Sequence, residues 1–337
     1  MAREIIDVFC HFLPPEYLAR VRKTVRNVPF MLERAGKIPA MADASVRNGQ
    51  VASFPGYRQI PCLVAPYPDD FADREQAAAL ARIANESLAE FVNANPALYP
   101  GFVATVPWLY ADDACRELEY AMTTLGAKGV QIGTPLQGIC PDHPRFADVF
   151  ATAARFGAAI WLHPTMDPQR SDYVTEPSSL REIWWAMGVP YESSAAMVRL
   201  AYAGLFDKYP DLVVITHHAG GIVPVLEGRF RLGLKKLGSR AQPGAEPEPA
   251  PALQTPVYDA LKNYYADTAT LGTSWSLEGA ADFFSAGHIL FGTDAPFGAG
   301  QGREYLDVTI EAVETMRCPP EVREAIFSGN AKAALRL

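Results

Sequence analysis

Eight short apolar runs recur along this 337-residue chain, and they constrain its fold more than any other feature. They are IIDVFCHF (5–12), IPCLVA (60–65), GFVATVP (101–107), KGVQIG (128–133), AAIWLHP (158–164), LVVITHH (212–218), NYYADTA (263–269) and HILFGTD (288–294). Each is continuously apolar rather than alternating, as a parallel strand buried on both faces should be. Helical patterns lie between them, over 71–94, 112–125, 145–156, 193–207 and 303–316. Turn signals such as Leu125-Gly126 and Tyr209-Pro210-Asp211 follow these helices. Eight strands interleaved with helices predict an α/β chain folded as a (β/α)8 TIM barrel, with a doubly wound open sheet as the alternative.

Two stretches break the repeat. Residues 14–58 form an insertion after the first strand and are expected to contribute to a pocket. Residues 238–256, Pro- and Ala-rich, are expected to form a mobile surface loop. Neither reads as a separate domain, so residues 1–337 are taken as one barrel. The net charge of −8 excludes a nucleic-acid or anionic-membrane surface as the expected partner. No run is long and apolar enough to span a bilayer, and no signal peptide is apparent, so a cytoplasmic enzyme without a membrane partner is expected. The five cysteines are scattered with no CxxC pair, which supports neither a disulfide framework nor a cysteine-rich zinc site.

In such a barrel the chemistry sits at the C-terminal strand ends. His11 ends the first run, His163 the fifth, His217 and His218 the sixth, and Asp294 the eighth. Neutral imidazoles with one carboxylate suit a divalent ion such as zinc. Taken singly, each histidine is as well explained as a strand cap; the set at matching ends points to a site. His143 reads as structural, and His288 begins its strand instead of ending it. The glycines of HHAGG would permit close backbone approach and an anion at a helix start. Arg229 is a candidate anchor for a substrate carboxylate, although a surface ion pair explains it equally well. Trp184 and Trp185, in the stretch 166–192, are candidates to stack on an aromatic ring.

These residues carry a resemblance. HP at the fifth strand, HHAGG.VP..EGR at the sixth, FGTDAPF at the eighth and the terminal GNAKAALRL resemble the amidohydrolase-2 branch of the amidohydrolase superfamily. That branch includes amino-carboxymuconate-semialdehyde decarboxylases and aromatic-acid decarboxylases of the γ-resorcylate type. The resemblance implies a metal-dependent barrel holding zinc or manganese, commonly a homodimer, acting on a small-molecule carboxylic acid. Its metal ligands are an HxH pair on the first strand, a histidine on the fifth and an aspartate on the eighth. Carried over, these are His11, His163 and Asp294, with Phe9 where the first histidine belongs. The catalytic acid/base of the sixth strand corresponds to His218, which leaves His217 as a buried neighbour. Arg229 matches an arginine that reaches across a dimer to the substrate.

Residues 9 and 11 are two apart on a strand and share a face. Phe9 therefore enters the site as an apolar, substrate-side group, and Cys10 points away. A phenyl ring cannot ligate, but a catalytic zinc site often has three protein ligands plus water. The leading expectation is non-oxidative decarboxylation of an aromatic or unsaturated acid, with His218 or Asp294 moving the proton. Two alternatives stay open. One is a metal-dependent lactone or amide hydrolase or hydratase; the other is a metal-free or non-catalytic barrel in which Phe9 has abolished the site.

Overall fold

The computed structural model describes residues 3–165, 169–236, 240 and 252–337. Its eight strands are β1 (Ile5–Phe12), β2 (Tyr57–Leu63), β3 (Val103–Ala104), β4 (Gly129–Thr134), β5 (Ala159–Pro164), β6 (Val214–Thr216), β7 (Tyr265–Asp267) and β8 (Ile289–Leu290). Every one falls within or across a run named above. All neighbouring pairs are parallel: β1 with β2, and β3 through β8 in sequence order. β2 packs beside β3. On the other side, the chain beyond β8 bonds back to β1: Val8 N–H donates to Phe291 O (2.9 Å), His11 N–H to Ala295 O (2.7 Å) and Asp294 N–H to Phe9 O (2.9 Å). The fold is the (β/α)8 barrel.

β1 is buried along its whole length, which is why it reads as an unbroken apolar run. Helices form the outer layer. The longest, Arg74–Ala94, is capped by Asp73, whose carboxylate accepts from Gln76 N–H (2.9 Å), and buries Ala77, Leu80, Ala81, Ala84 and Leu88. Asn85 interrupts that apolar face for a reason. Its amide donates to Thr105 O and accepts from Thr105 N–H, both at 2.9 Å. The backbone just past β3 is thus paired with a side chain instead of a neighbouring strand, and β3 stays short.

The insertion holds more order than its weak periodicity suggests. It folds as four short helices, Pro15–Thr24, Phe30–Ala35, Pro39–Ala42 and Ala44–Ala52. Two begin with proline at the first helical position, where the missing N–H costs nothing. Buried Arg47 ties it down, donating to Gln59 Oε1 (2.8 Å) and Ala40 O (3.3 Å). Most of the stretch 238–256 lies outside the described residues. Its described end is held, with Gln254 N–H donating to Asp207 Oδ2 (2.8 Å) and Thr255 N–H to Asp207 Oδ1 (3.1 Å). All five cysteines are free. Among the described residues no helix is long and apolar enough to cross a membrane.

A β-bulge decides what faces the barrel interior. The register of β1 against β2 shifts between Asp7 and Cys10. Val8 and Phe9 both join the interior cluster with Ile60, Cys62, Val103, Trp161, Ile215 and Leu290. Within this apolar cluster the Trp161 indole donates to Val8 O at 2.8 Å. Trp161→Phe would leave that carbonyl unpaired, and is expected to cost about 1–3 kcal/mol for the lost bond, with a packing cost on top. A lowered urea midpoint at unchanged m-value checks this. An unchanged midpoint would show that the indole is not needed there.

Candidate active site and metal centre

The C-terminal ends of β1, β5, β6, β7 and β8 converge on one point. One ligand atom each from His11, His163 and His217 lies within 4.8 Å of the others, and so do single atoms from His217, His218 and Asp294. Asp294 Oδ1 is 3.0 Å from His11 Nε2 and 3.5 Å from His217 Nε2. Asp294 adopts a left-handed backbone, φ 65°, a strained conformation for a residue other than glycine and one that clusters at functional sites.

The surroundings fix each ring. His217 Nδ1 hydrogen-bonds with the buried Asp267 carboxylate. Its face is covered by Phe9, with ring centroids 3.8 Å apart and planes 13° from parallel. His11 Nδ1 lies 3.2 Å from Cys62 Sγ, and that thiol donates to Cys10 O (3.3 Å). The sulfur can then accept from His11 Nδ1–H, the tautomer that offers Nε2 to an ion shared with Asp294. Asp7 braces β1 against the strand-eight segment. It accepts from Phe9 N–H (3.1 Å), Thr293 N–H (3.2 Å), the Thr293 hydroxyl (2.5 Å) and the Tyr57 hydroxyl (2.5 Å). Burial lifts its pKa to about 6 against those bonds. At Gly292 an added Cβ would meet Asp267 Cβ at 2.9 Å and Phe9 Cβ at 3.1 Å, so only glycine lets β1, β7 and β8 close this tightly.

The electrostatics fit a cation. His11 Nε2, His163 Nδ1, His217 Nε2 and His218 Nδ1 are all buried without a well-formed hydrogen bond, a costly arrangement unless something binds them. Burial, then the neighbouring imidazoles His11 and His217, push His163 well below the usual histidine range. Burial and His217 hold His218 down to about 3. Burial also opposes charge on His217, but Asp267 and Asp294 outweigh it and lift the ring to about 9. Burial would raise Asp294, yet the His11 and His217 rings beside its carboxylate hold it far below the carboxylate range. Neutral His163 and His218 beside one ionised carboxylate, with His217 able to give up its Nε2 proton to an ion, suit a divalent metal.

Above this point opens a pocket of about 310 Å³, within the size range of small-ligand sites. Val189, Pro190, Pro224, Val225, Leu271 and Trp185 give it apolar walls; His218, Thr270, Ser276 and Asp294 are its polar groups. A cavity of about 370 Å³ at the opposite barrel end, near Arg58 and Lys128, holds none of these groups.

The structure brings His11, His163, His218 and Asp294 together as the sequence suggested, and revises other expectations. His217 is buried as expected, and one of its ring nitrogens also lies within the cluster. Phe9 is fully buried beneath the imidazoles; it is not among the residues lining the pocket, because its ring is occupied by His217. Cys10 does point away: the bulge precedes it, and its thiol faces buried Arg47. Trp185 lines the pocket and Trp184 does not, since residues 184–188 form a wide π-helical turn that offers the second ring. Arg229 is exposed on helix Glu227–Gly233 and is absent from the pocket wall. No residue of 14–58 lines the pocket, whereas Trp185, Ala186, Val189 and Pro190 do; Met166, at the start of the stretch 166–192, lies outside the described residues.

The glycines of HHAGG permit close packing, as expected. An added Cβ at Gly220 would strike Phe284, and one at Gly221 would fall 2.4 Å from Pro190 O. His143 caps a short turn by accepting from Arg145 N–H, and His288 stays at the start of β8 near Tyr264 O. Asp267 was missed, although the same strand-end rule that selected Asp294 would have found it in NYYADTA.

The amidohydrolase family model matches residues 6–337, and the chain belongs to that family. It is 31% identical over 346 residues to a 6-methylsalicylic acid decarboxylase of Penicillium expansum, across 97% of this chain and 94% of the relative. It is 29% identical to a γ-resorcylate decarboxylase of Polaromonas sp., across 82% of each chain. Its fold matches the crystal structure of a 5-carboxyvanillate decarboxylase from Novosphingobium aromaticivorans, complexed with manganese and 4-hydroxy-3-methoxy-5-nitrobenzoic acid. That match has a TM-score of 0.82 at 20% identity, covering 99% of this chain and 96% of the other.

Proposed function

We propose that this chain is a metal-dependent, non-oxidative decarboxylase of an aromatic carboxylic acid bearing a hydroxyl next to the carboxylate. The observation that carries the reading is the convergence of His11, His163, His217 and Asp294 beneath a small apolar pocket with His218 on its wall. The named relatives support the substrate class: 6-methylsalicylate, γ-resorcylate and 5-carboxyvanillate all place a hydroxyl beside a carboxylate.

His11, His163 and Asp294 would hold the ion, manganese in preference to zinc by analogy with the manganese-bound relative. When bound, it supplies the positive charge that fixes and orients the substrate's carboxylate and hydroxyl. The chain's own groups do the rest. Trp185, Val189 and Leu271 hold the ring and exclude water. His218, neutral at rest, relays a proton from solvent to the ring carbon that carries the carboxylate. The bond from that carbon to the carboxylate then breaks, its electron pair restores the aromatic ring, and carbon dioxide leaves. The balance is one carboxylate and one proton giving one arene and one carbon dioxide.

Exposed Arg229 would meet a substrate only in a neighbouring copy of the chain, which is the role we assign it in a homodimer. Five free cysteines fit a reducing cytoplasm. We take residues 1–337 as one domain.

Manganese-loaded protein should release carbon dioxide from at least one 2-hydroxybenzoate, such as 6-methylsalicylate or 2,6-dihydroxybenzoate. In deuterated water the product should carry one deuterium at the vacated carbon. Lactone or amide hydrolysis without carbon dioxide release would replace this reading with the hydrolase one.

A further inference from the structure

We propose that His217 is a metal ligand, the third imidazole beside His11 and His163, in a site that has none at position 9. The inference deepens the metal-dependent reading above and rests on it only in requiring a divalent ion. Phe9 shares a face with His11 but presents a phenyl ring, which offers no lone pair. That ring lies flat on His217, 3.8 Å away, so the apolar residue at position 9 fixes the imidazole's plane. Asp267 takes the Nδ1 side, which makes Nε2 the nitrogen that an ion would take in exchange for its proton. A carboxylate on the far nitrogen is the arrangement that orients metal-binding histidines and strengthens them as donors.

Nε2 is buried, makes no well-formed hydrogen bond and lies 3.5 Å from Asp294 Oδ1. It also falls within the His11–His163 group, whereas His218 does not join that group. His218 has left the strand: its φ is 56°, and it turns to the pocket wall. The two adjacent histidines thus divide the work, His217 toward the ion and His218 toward the substrate. Phe9, Asp267 and Gly292 act as positioning residues, because they touch His217 or permit the packing around it, not the substrate.

The test is manganese binding, independent of turnover. Metal-stripped full-length protein is titrated with Mn(II) and free ion is followed by electron paramagnetic resonance. The same chain loaded with Co(II) is read by its visible absorption. His217→Ala should weaken Mn(II) binding ~100-fold or more and change the Co(II) spectrum, and Asp267→Asn should weaken binding about 10–100-fold. His218→Ala should leave affinity within about threefold, since that ring belongs to the substrate side by the geometry above. Adding Phe9→His to His217→Ala should recover at least tenfold, by returning a nitrogen donor to the same face.

Wild-type affinity in His217→Ala overturns the proposal. If that variant does not fold, as judged by the melt of its metal-free form, Asp267→Asn decides, and wild-type affinity there overturns it. A wild-type chain that binds one Mn(II) in this His217-dependent way, yet releases no carbon dioxide from any aromatic acid, would sink the decarboxylase reading and leave this one standing.

Discussion

Asparagine at position 294 is expected to lower carbon dioxide release by about 10³-fold, a loss of roughly 4 kcal/mol of transition-state stabilisation, and to leave the purified protein poor in metal. Asp294 is the carboxylate at the centre of the cluster, 3.0 Å from His11 and 3.5 Å from His217. Asparagine keeps the shape and tolerates the left-handed backbone that Asp294 adopts. The substitution therefore removes charge and little else. Without that charge the imidazoles have nothing to balance an ion, and the site prefers to stay empty. Steady-state kinetics and metal per chain, measured on one preparation, check both halves. A variant with full metal and nearly full activity would mean that Asp294 is neither ligand nor charge partner.

The second large effect should separate chemistry from metal binding. His218→Gln is expected to reduce kcat by about 10²–10⁴-fold, the usual contribution of a positioned proton donor. Metal per chain should not change. His218 lines the pocket and its Nδ1 is buried without a hydrogen-bond partner, so it can serve a substrate without disturbing the His11–His163–His217 group. Equal losses of kcat and of metal would instead put His218 among the ligands. Unchanged kcat would remove it from the reaction and revive the non-catalytic alternative. The contrast with Asp294→Asn is the informative part: one change should empty the site, the other should leave it full and slow.

The barrel was legible because parallel strands buried on both faces must be apolar throughout, and eight such runs stand out between helical stretches. The positions of His11, His163 and Asp294 were legible for a related reason. A strand end is where a buried run first meets a cavity, so a polar residue there is informative. The division between His217 and His218 was not legible. Neighbouring residues differ only in which way the backbone turns, and the left-handed conformation of His218 leaves no mark on the letters HH. The bulge between Asp7 and Cys10 was equally silent, yet it sets Phe9 under His217 and out of the pocket. Of the two candidates Trp184 and Trp185 only the second lines the pocket, because the turn that carries them is wider than an α-helix. The order of the insertion was hidden because its helices are short and its anchor, Arg47, is a buried charge paired with Gln59 and a backbone carbonyl. Such groups look like surface residues until their partners are known.

The central claim is that the chain remains a metal-dependent decarboxylase with phenylalanine at position 9. Its most direct test is metal analysis of protein purified without added metal, joined to one activity assay before and after chelation. The account predicts a bound divalent ion, carbon dioxide release that is lost with the chelator, and recovery on adding manganese. Full activity in protein shown to be metal-free would contradict it.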